Sequence, residues 1–232
     1  GADMISFDHF IQTDGVPIYP GVKCVEFCVQ RAAEAVCEAW QSRKEGGIAY
    51  GYSYAVVAHS RRTIYSEDQG AANPLSPAPN GFGVMYGSTK KDSFSHYEAG
   101  ADHFLNAMFT VDKAGKLTGM VVNVPCPSQI CEHFTKLSAD YWHDVRMAVE
   151  AEFGEGVFVL PQCAAAGDLS PRILHYGKAQ ARRFKLKYDM GYDPKACQAG
   201  TQNDYNKRMA ERKDIAERIL DGIKEVYAWS SK

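Results

Sequence analysis

The sequence predicts an α/β protein with a layered, mixed sheet, flanking helices and a βαβ unit at about residues 117–160. Three observations carry this reading. Met120, Val121, Val122 and Val124 make a nearly continuous apolar run, as in a strand covered on both faces. A second apolar run, Val157 to Leu160, follows a segment of helical periodicity, and strand, helix, strand implies a parallel pair joined by a right-handed crossover. The chain has 232 residues, 45% of them hydrophobic, enough for a substantial core in one domain.

The elements follow in order. Val25, Val29, Ala32, Val36 and Trp40 recur every three or four residues and predict a helix over about 22–44, closed by Gly46-Gly47. Residues 48–57 are rich in Tyr, Ala and Val and predict a strand, with Tyr50, Tyr52 and Tyr54 on one face as packing residues. Residues 66–95, dense in Gly, Pro, Asn and Ser, predict a long loop. Strands at 104–111 and 117–124 flank the turn 112–116 as a hairpin. Pro125-Cys126-Pro127-Ser128 cannot continue the ladder, because proline lacks the N–H. Ser138 is the expected N-cap of a helix running to Phe153, with Asp140 in its first turn. Residues 157–160 form the next strand, and 188–201 read as loop. A last helix over about 206–229 carries Met209, Ile215, Ile219, Ile223 and Val226.

Composition excludes some functions. The 26 Lys and Arg are dispersed and the formal charge is −2, so no basic stripe for nucleic acid exists. No apolar run approaches the roughly 20 residues of a membrane-spanning helix, so the expectation is a soluble chain. Seven cysteines, with no C-x-x-C pair, point toward a reducing, cytoplasmic compartment. A secreted origin, with a signal upstream of Gly1, is compatible with the same residues. Oligomeric state leaves no signal.

The βαβ reading sends the loops at 125–128 and 161–170 to one edge of the sheet, where ligands bind in open α/β sheets. The second loop contains Ala166-Gly167-Asp168-Leu169-Ser170-Pro171, small residues with a hydroxyl available for attack or binding. By composition alone this is a turn in which Asp168 binds backbone N–H groups. His59 reads as a strand-end histidine, His96 with Asp102-His103 as a candidate imidazole–carboxylate cluster, and Arg182, Arg183, Lys185 and Lys187 as a solvated helix face.

The strand GKLTGMVVNV, a loop with Pro-Ser, LSAD opening a helix, and VFVLPQCAAAGDLSPR together resemble the catalytic domain of the neutral/alkaline ceramidases and their bacterial relatives. The stretch AAEAVCEAW through GGIAYGYSYAVVAHSRR fits the same pattern, so the resemblance spans about residues 22–171. It implies a single ceramidase-like α/β domain over 1–232, incomplete at both ends relative to the family. It also implies a zinc-dependent amidase acting on the N-acyl bond of a lipid amide or other small-molecule amide. Ser170 then matches the catalytic serine, Asp168 an orienting group, Gly167 the substrate-side glycine of the motif, and Arg61 or Arg62 the site arginine. Ser138 and Asp140 match the family's Ser-x-Asp helix entry.

The same resemblance exposes departures. One ligand histidine pair would precede Gly1, and a glutamate and a tyrosine would follow Lys232. A second histidine is expected where this sequence has Pro125-Cys126-Pro127-Ser128, leaving Cys126 or His133 as substitutes at zinc. Two further readings stand beside the metal-assisted hydrolase. One is a non-catalytic or metal-free binding module on the same fold. The other is a metal-free serine hydrolase with His175 as base.

Overall fold

A computed structural model of the chain describes residues 21–70, 81–134, 137–188 and 199–230. Most of the loop expected at 188–201, and the centre of the one at 66–95, lie outside the described residues. The chain divides into a unit ending at Glu45 and a unit from Gly46 to Lys232. The first contains helix α1 (Gly21–Ser42), within two residues of its predicted bounds. Arg31 pairs with Glu34 at 2.9 Å along its surface, and the Ser42 hydroxyl donates to the Glu38 carbonyl at 2.7 Å.

The second unit opens with β1 (Gly46–Tyr54), followed by β2 (His59–Ser60), β3 (Arg62–Tyr65), β4 (Gly83–Met85), β5 (Phe94–Tyr97), β6 (Phe104–Asp112) and β7 (Leu117–Val124). Then come α2 (Tyr141–Phe153), β8 (Phe158–Cys163), β9 (Leu169–Ser170), α3 (Gly177–Tyr188) and α4 (Gln202–Ser230). The main sheet has the order β1-β6-β7-β8, antiparallel except for the parallel pair β7–β8. This is the mixed α/β sheet the sequence predicts, with α2 as the crossover of its βαβ unit. The predicted hairpin is present, its turn closed by Asp112 Oδ1, which accepts from the Ala114 and Lys116 N–H at 2.9 Å each.

One face of this sheet forms the core. Leu105, Phe109, Val122 and Val124 have no exposed surface, and they meet Tyr141, Trp142, Val145 and Val149 of α2 and Ile215, Ile219, Ile223 and Val226 of α4. Full burial of each such side chain stabilises by about 1.5–3 kcal/mol. Helix α4 approaches β1 closely because Gly222 has no side chain. A Cβ there would come within 2.8 Å of Ser53 Oγ and 3.0 Å of Leu105 Cδ1, and the Ser53 hydroxyl donates to the Gly222 carbonyl at 3.1 Å. On the opposite face Tyr50, Tyr52 and Tyr54 project together, as period two requires, but they are exposed rather than packed into a core. Their packing is lateral, with the Tyr52 and Tyr54 rings 5.5 and 4.8 Å from that of Phe104.

Several local expectations change. The loop at 66–95 contains β4 and the start of β5, which flank β3 in a second sheet. Strands of three and four residues are too short for alternation to register. The N-cap of α2 is Asp140, not Ser138. Its two carboxylate oxygens accept from Tyr141 N–H at 2.8 Å and Cys131 N–H at 2.7 Å, two donors at once, while Ser138 Oγ accepts from Asp140 N–H. Strand β8 continues through Pro161 because it is the edge strand, where a missing N–H costs no ladder bond. The basic run lies on α3, with Arg182 and Lys185 exposed, and Arg183 and Lys187, though partly exposed, also pair with Asp214 of α4.

Candidate active site at the carboxyl edge of the sheet

Parallel pairing of β7 and β8 sets Val124 opposite Cys163, so both exit segments leave one edge. They remain joined beyond it, with Ala164 N–H donating to the Val124 carbonyl at 3.0 Å. The chain then turns, Leu169 N–H bonding to the Ala166 carbonyl at 3.1 Å, and returns as β9 against β2. The register is His59 opposite Ser170 and Ser60 opposite Leu169, extended by Arg61 N–H to the Asp168 carbonyl at 3.0 Å. Alternation then puts His59, Arg61, Asp168 and Ser170 on one face of the ladder, and sends Ser60 and Leu169 to the other. Directly opposed residues in such a pair have Cβ atoms about 4.5–5.5 Å apart.

Each member is held by a definable contact. Arg61 Nη2 donates to the Gly167 carbonyl at 2.7 Å and Nη1 to the Tyr86 hydroxyl at 3.1 Å, clamping the Gly-Asp-Leu-Ser-Pro loop. Tyr86 returns its own N–H to the Arg61 carbonyl at 2.6 Å while adopting φ +57°, a strained conformation for an aromatic residue. A Cβ on Gly167 would meet nothing within 4 Å, so the backbone there is open to an approaching molecule. Arg62 points elsewhere and pairs with Glu98 at 2.8 Å. Ser170 is completely buried, and its Oγ accepts from the Arg172 N–H at 3.2 Å. The Arg172 guanidinium donates to the Gln129 carbonyl at 2.8 Å and to Glu132 at 2.5 Å, stapling the two exit loops together.

His59 is the residue whose place the sequence undervalued. Burial, followed by the nearby His103 and Arg218, holds its imidazole below the ordinary pKa of 6.5, so it is neutral at pH 7. The sequence signal was its two-residue spacing to Arg61, which becomes informative only once β9 pairs with β2. His175, the base expected from proximity in sequence, stacks on Phe94 with centroids 6.1 Å apart and edges onto Tyr176. In the candidate cluster of His96 with Asp102 and His103, the side-chain hydrogen bonds of His96 and Asp102 run to other residues. Asp102 Oδ1 accepts from the Phe104 N–H at 2.8 Å, and His96 bonds to Ser95 at 2.9 Å.

Buried polar atoms without a hydrogen-bond partner among the described residues include Ser60 Oγ, Arg61 Nε, His103 Nδ1, Gln129 Oε1 and Arg172 Nε. These residues belong to the ladder, to the exit loops, or to the surroundings of His59. Protein interiors pair such atoms almost without exception, so their concentration marks this edge as suited to a polar ligand.

Cys126 and His133, the residues singled out for zinc, stand in different surroundings. Cys126 is buried, its thiol donates to the Val57 carbonyl at 3.2 Å, and burial pushes its pKa up to about 12. The Tyr141 hydroxyl, donating to the Cys126 carbonyl at 2.6 Å, fixes this segment under the core. The His133 side chain is 70% exposed, and its Nε2 lies 3.4 Å from Glu132. Among the described residues no group of three or more His, Cys, Asp or Glu is placed to hold a metal.

Beside the ladder, on the His59 side, lies a cavity of about 290 Å³ bounded by α3 and α4. Val56, Val57, His59, Pro171 and Ile173 line it from the loop side, and Phe184, Ile215, Arg183, Asp214 and Arg218 from the helices. Asp214 accepts from Arg183, from Arg218 Nε at 3.0 Å and from the Tyr188 hydroxyl at 3.0 Å. Burial raises its pKa, but the Arg183 hydrogen bond and the charges of Arg218 and Arg183 outweigh that and hold it below the usual carboxylate value. The basic run was legible in the sequence as a helix face, but this hub was not, its only local signal being the i,i+4 spacing of Asp214 and Arg218.

No protein-family profile matches the chain, and no curated protein matches it. Among solved structures, it is similar to the neutral ceramidase from Pseudomonas aeruginosa at 18% identity, with a TM-score of 0.49 over 84% of this chain and 24% of that one. It is also similar to a ceramidase complexed with C2, at 17% identity and a TM-score of 0.47 over 82% of this chain and 23% of the other. The chain thus spans about a quarter of the length of each.

Proposed function

We propose that this chain carries a hydrolase site for acyl amides on the His59/Ser170 face of the β2–β9 ladder. The observation that supports it is the register of His59 against Ser170, beside a cavity and an arginine-clamped loop. Ser170 Oγ attacks the amide carbonyl carbon and its proton passes to the neutral His59 imidazole. Negative charge developing on the carbonyl oxygen meets the Arg61 guanidinium, whose buried Nε–H has no partner among the described residues. Asp168, diagonal to His59 on the same face, favours the imidazolium as it forms. The C–N bond then breaks as His59 returns the proton to the departing amine, and water hydrolyses the acyl-serine by the reverse proton path. Because Ser170 is fully buried, the site must open for substrate to reach its hydroxyl.

Fluorogenic N-acyl aminocoumarins test this. Ser170→Ala and His59→Gln, each checked for native circular dichroism, should lower kcat/KM by about 10²–10⁴. Unchanged turnover in either folded variant overturns the mechanism. Binding without turnover in the wild-type chain would leave a binding module on this fold.

A further inference from the structure

The cavity beside His59 borders the proposed acyl-amide site. Its lining is largely apolar, with Val56, Ile173, Phe184 and Ile215 among the walls. The charged groups in it are engaged with protein partners. Asp214 takes Arg183 and Arg218, and Glu211 takes Arg208 at 3.1 Å. Arg183 and Arg218 share the one carboxylate of Asp214 at the helix side of the cavity, beside the apolar walls. The volume of about 290 Å³ is at the lower limit for pockets that enclose organic ligands. At roughly 30 Å³ per water-sized group, it holds about ten non-hydrogen atoms.

Resting on the reading of this edge as an acyl-amide hydrolase, we infer that the cavity is the acyl subsite and that its substrates are amides of short acyl groups, about four to eight carbons. A palmitoyl tail is larger than this volume. The acyl group enters over Pro171, its carbonyl left at the His59/Ser170 face and its tail directed between α3 and α4.

Two measurements on the full chain test the assignment. In the first, kcat/KM is compared for acetyl, butyryl, octanoyl, lauroyl and palmitoyl aminocoumarins. Butyryl or octanoyl should be best, with palmitoyl at least about tenfold lower. In the second, binding of octanamide and palmitamide is followed by calorimetry in the wild type and in Ala179→Phe. Ala179 lines the cavity from an exposed position on α3, where a larger residue is tolerated by the fold and narrows the space. The variant should weaken octanamide binding about tenfold and move the best substrate toward acetyl or butyryl. Ser170-dependent turnover that is fastest with palmitoyl overturns the short-chain inference and leaves the hydrolase reading intact. Octanamide binding that Ala179→Phe does not alter overturns the subsite. Octanamide binding sensitive to Ala179→Phe, with no turnover of any aminocoumarin, sinks the hydrolase reading and supports the cavity assignment.

Discussion

Asp214→Asn should destabilise the protein by about 2 kcal/mol at neutral pH, and the loss should vanish in acid. The carboxylate is 8% exposed, while its partners Arg183, Lys187 and Arg218 are 39%, 43% and 37% exposed. When the charge is removed, water reaches all three cations, so each pair counts at the modest value of a screened ion pair, about 0.2–1 kcal/mol. Three pairs at about 0.7 kcal/mol each sum to about 2 kcal/mol. The Tyr188 hydroxyl adds little, because it keeps Glu217 at 2.9 Å. With a urea m-value of about 2 kcal/mol/M, the unfolding midpoint should fall by about 1 M. The pH dependence has a definite sign. Asp214 has a folded pKa below its ordinary 3.8, so its contribution is complete above that value and is lost as pH falls through the folded pKa. The gap between wild type and variant, read from urea melts followed by circular dichroism, should therefore be constant at neutral pH and close as pH falls below about 4. A gap under about 0.3 kcal/mol at neutral pH, or one that persists unchanged in acid, would refute the assignment of Asp214 as the tie between α3 and α4.

Three other outcomes are expected. The pH profile of kcat/KM should rise through a midpoint below 6.5 and stay flat above it, since His59 acts as the neutral base and its pKa is depressed; a midpoint above 6.5 removes it from that role. Phe109→Ala, at a fully buried position between sheet and helices, should cost about 3–5 kcal/mol in chemical denaturation, and a loss under about 1 kcal/mol would mean the core is assembled differently. Thiol labelling with a disulfide reagent should modify exposed Cys163 in the native state and leave Cys126 untouched until unfolding; rapid native labelling at Cys126 contradicts its burial and raised pKa.

The long elements were legible because their periodicity is strong. Val22 to Trp40 repeats at helical spacing, and the run through Val122 has the density of a covered strand, so α1, β7, α2 and β8 stand within a few residues of expectation. The shared edge for the two exit loops followed from parallel pairing alone. Short elements were not legible. Strands β2 and β9 have two residues each, and nothing in His59-Ser60 or Leu169-Ser170 separates a paired strand from a turn. Arg61 and Arg62 were equivalent in sequence, yet one clamps Gly167 and the other pairs with Glu98. Cys126 and His133 were offered as ligands on residue type, a property that says nothing of whether a thiol is buried or a ring faces water.

By itself, then, the sequence determined the α/β class, the βαβ unit and the edge at which Gly167, Asp168 and Ser170 stand, because these depend on local periodicity and on the handedness of one crossover. Only the tertiary structure decided which residues face that edge together. His59 meets Ser170 across more than a hundred intervening residues, and α3 meets α4 through a buried carboxylate. Such pairings are set by where the core lets distant segments approach, and two opposed backbone positions leave no trace in the order of residues along the chain.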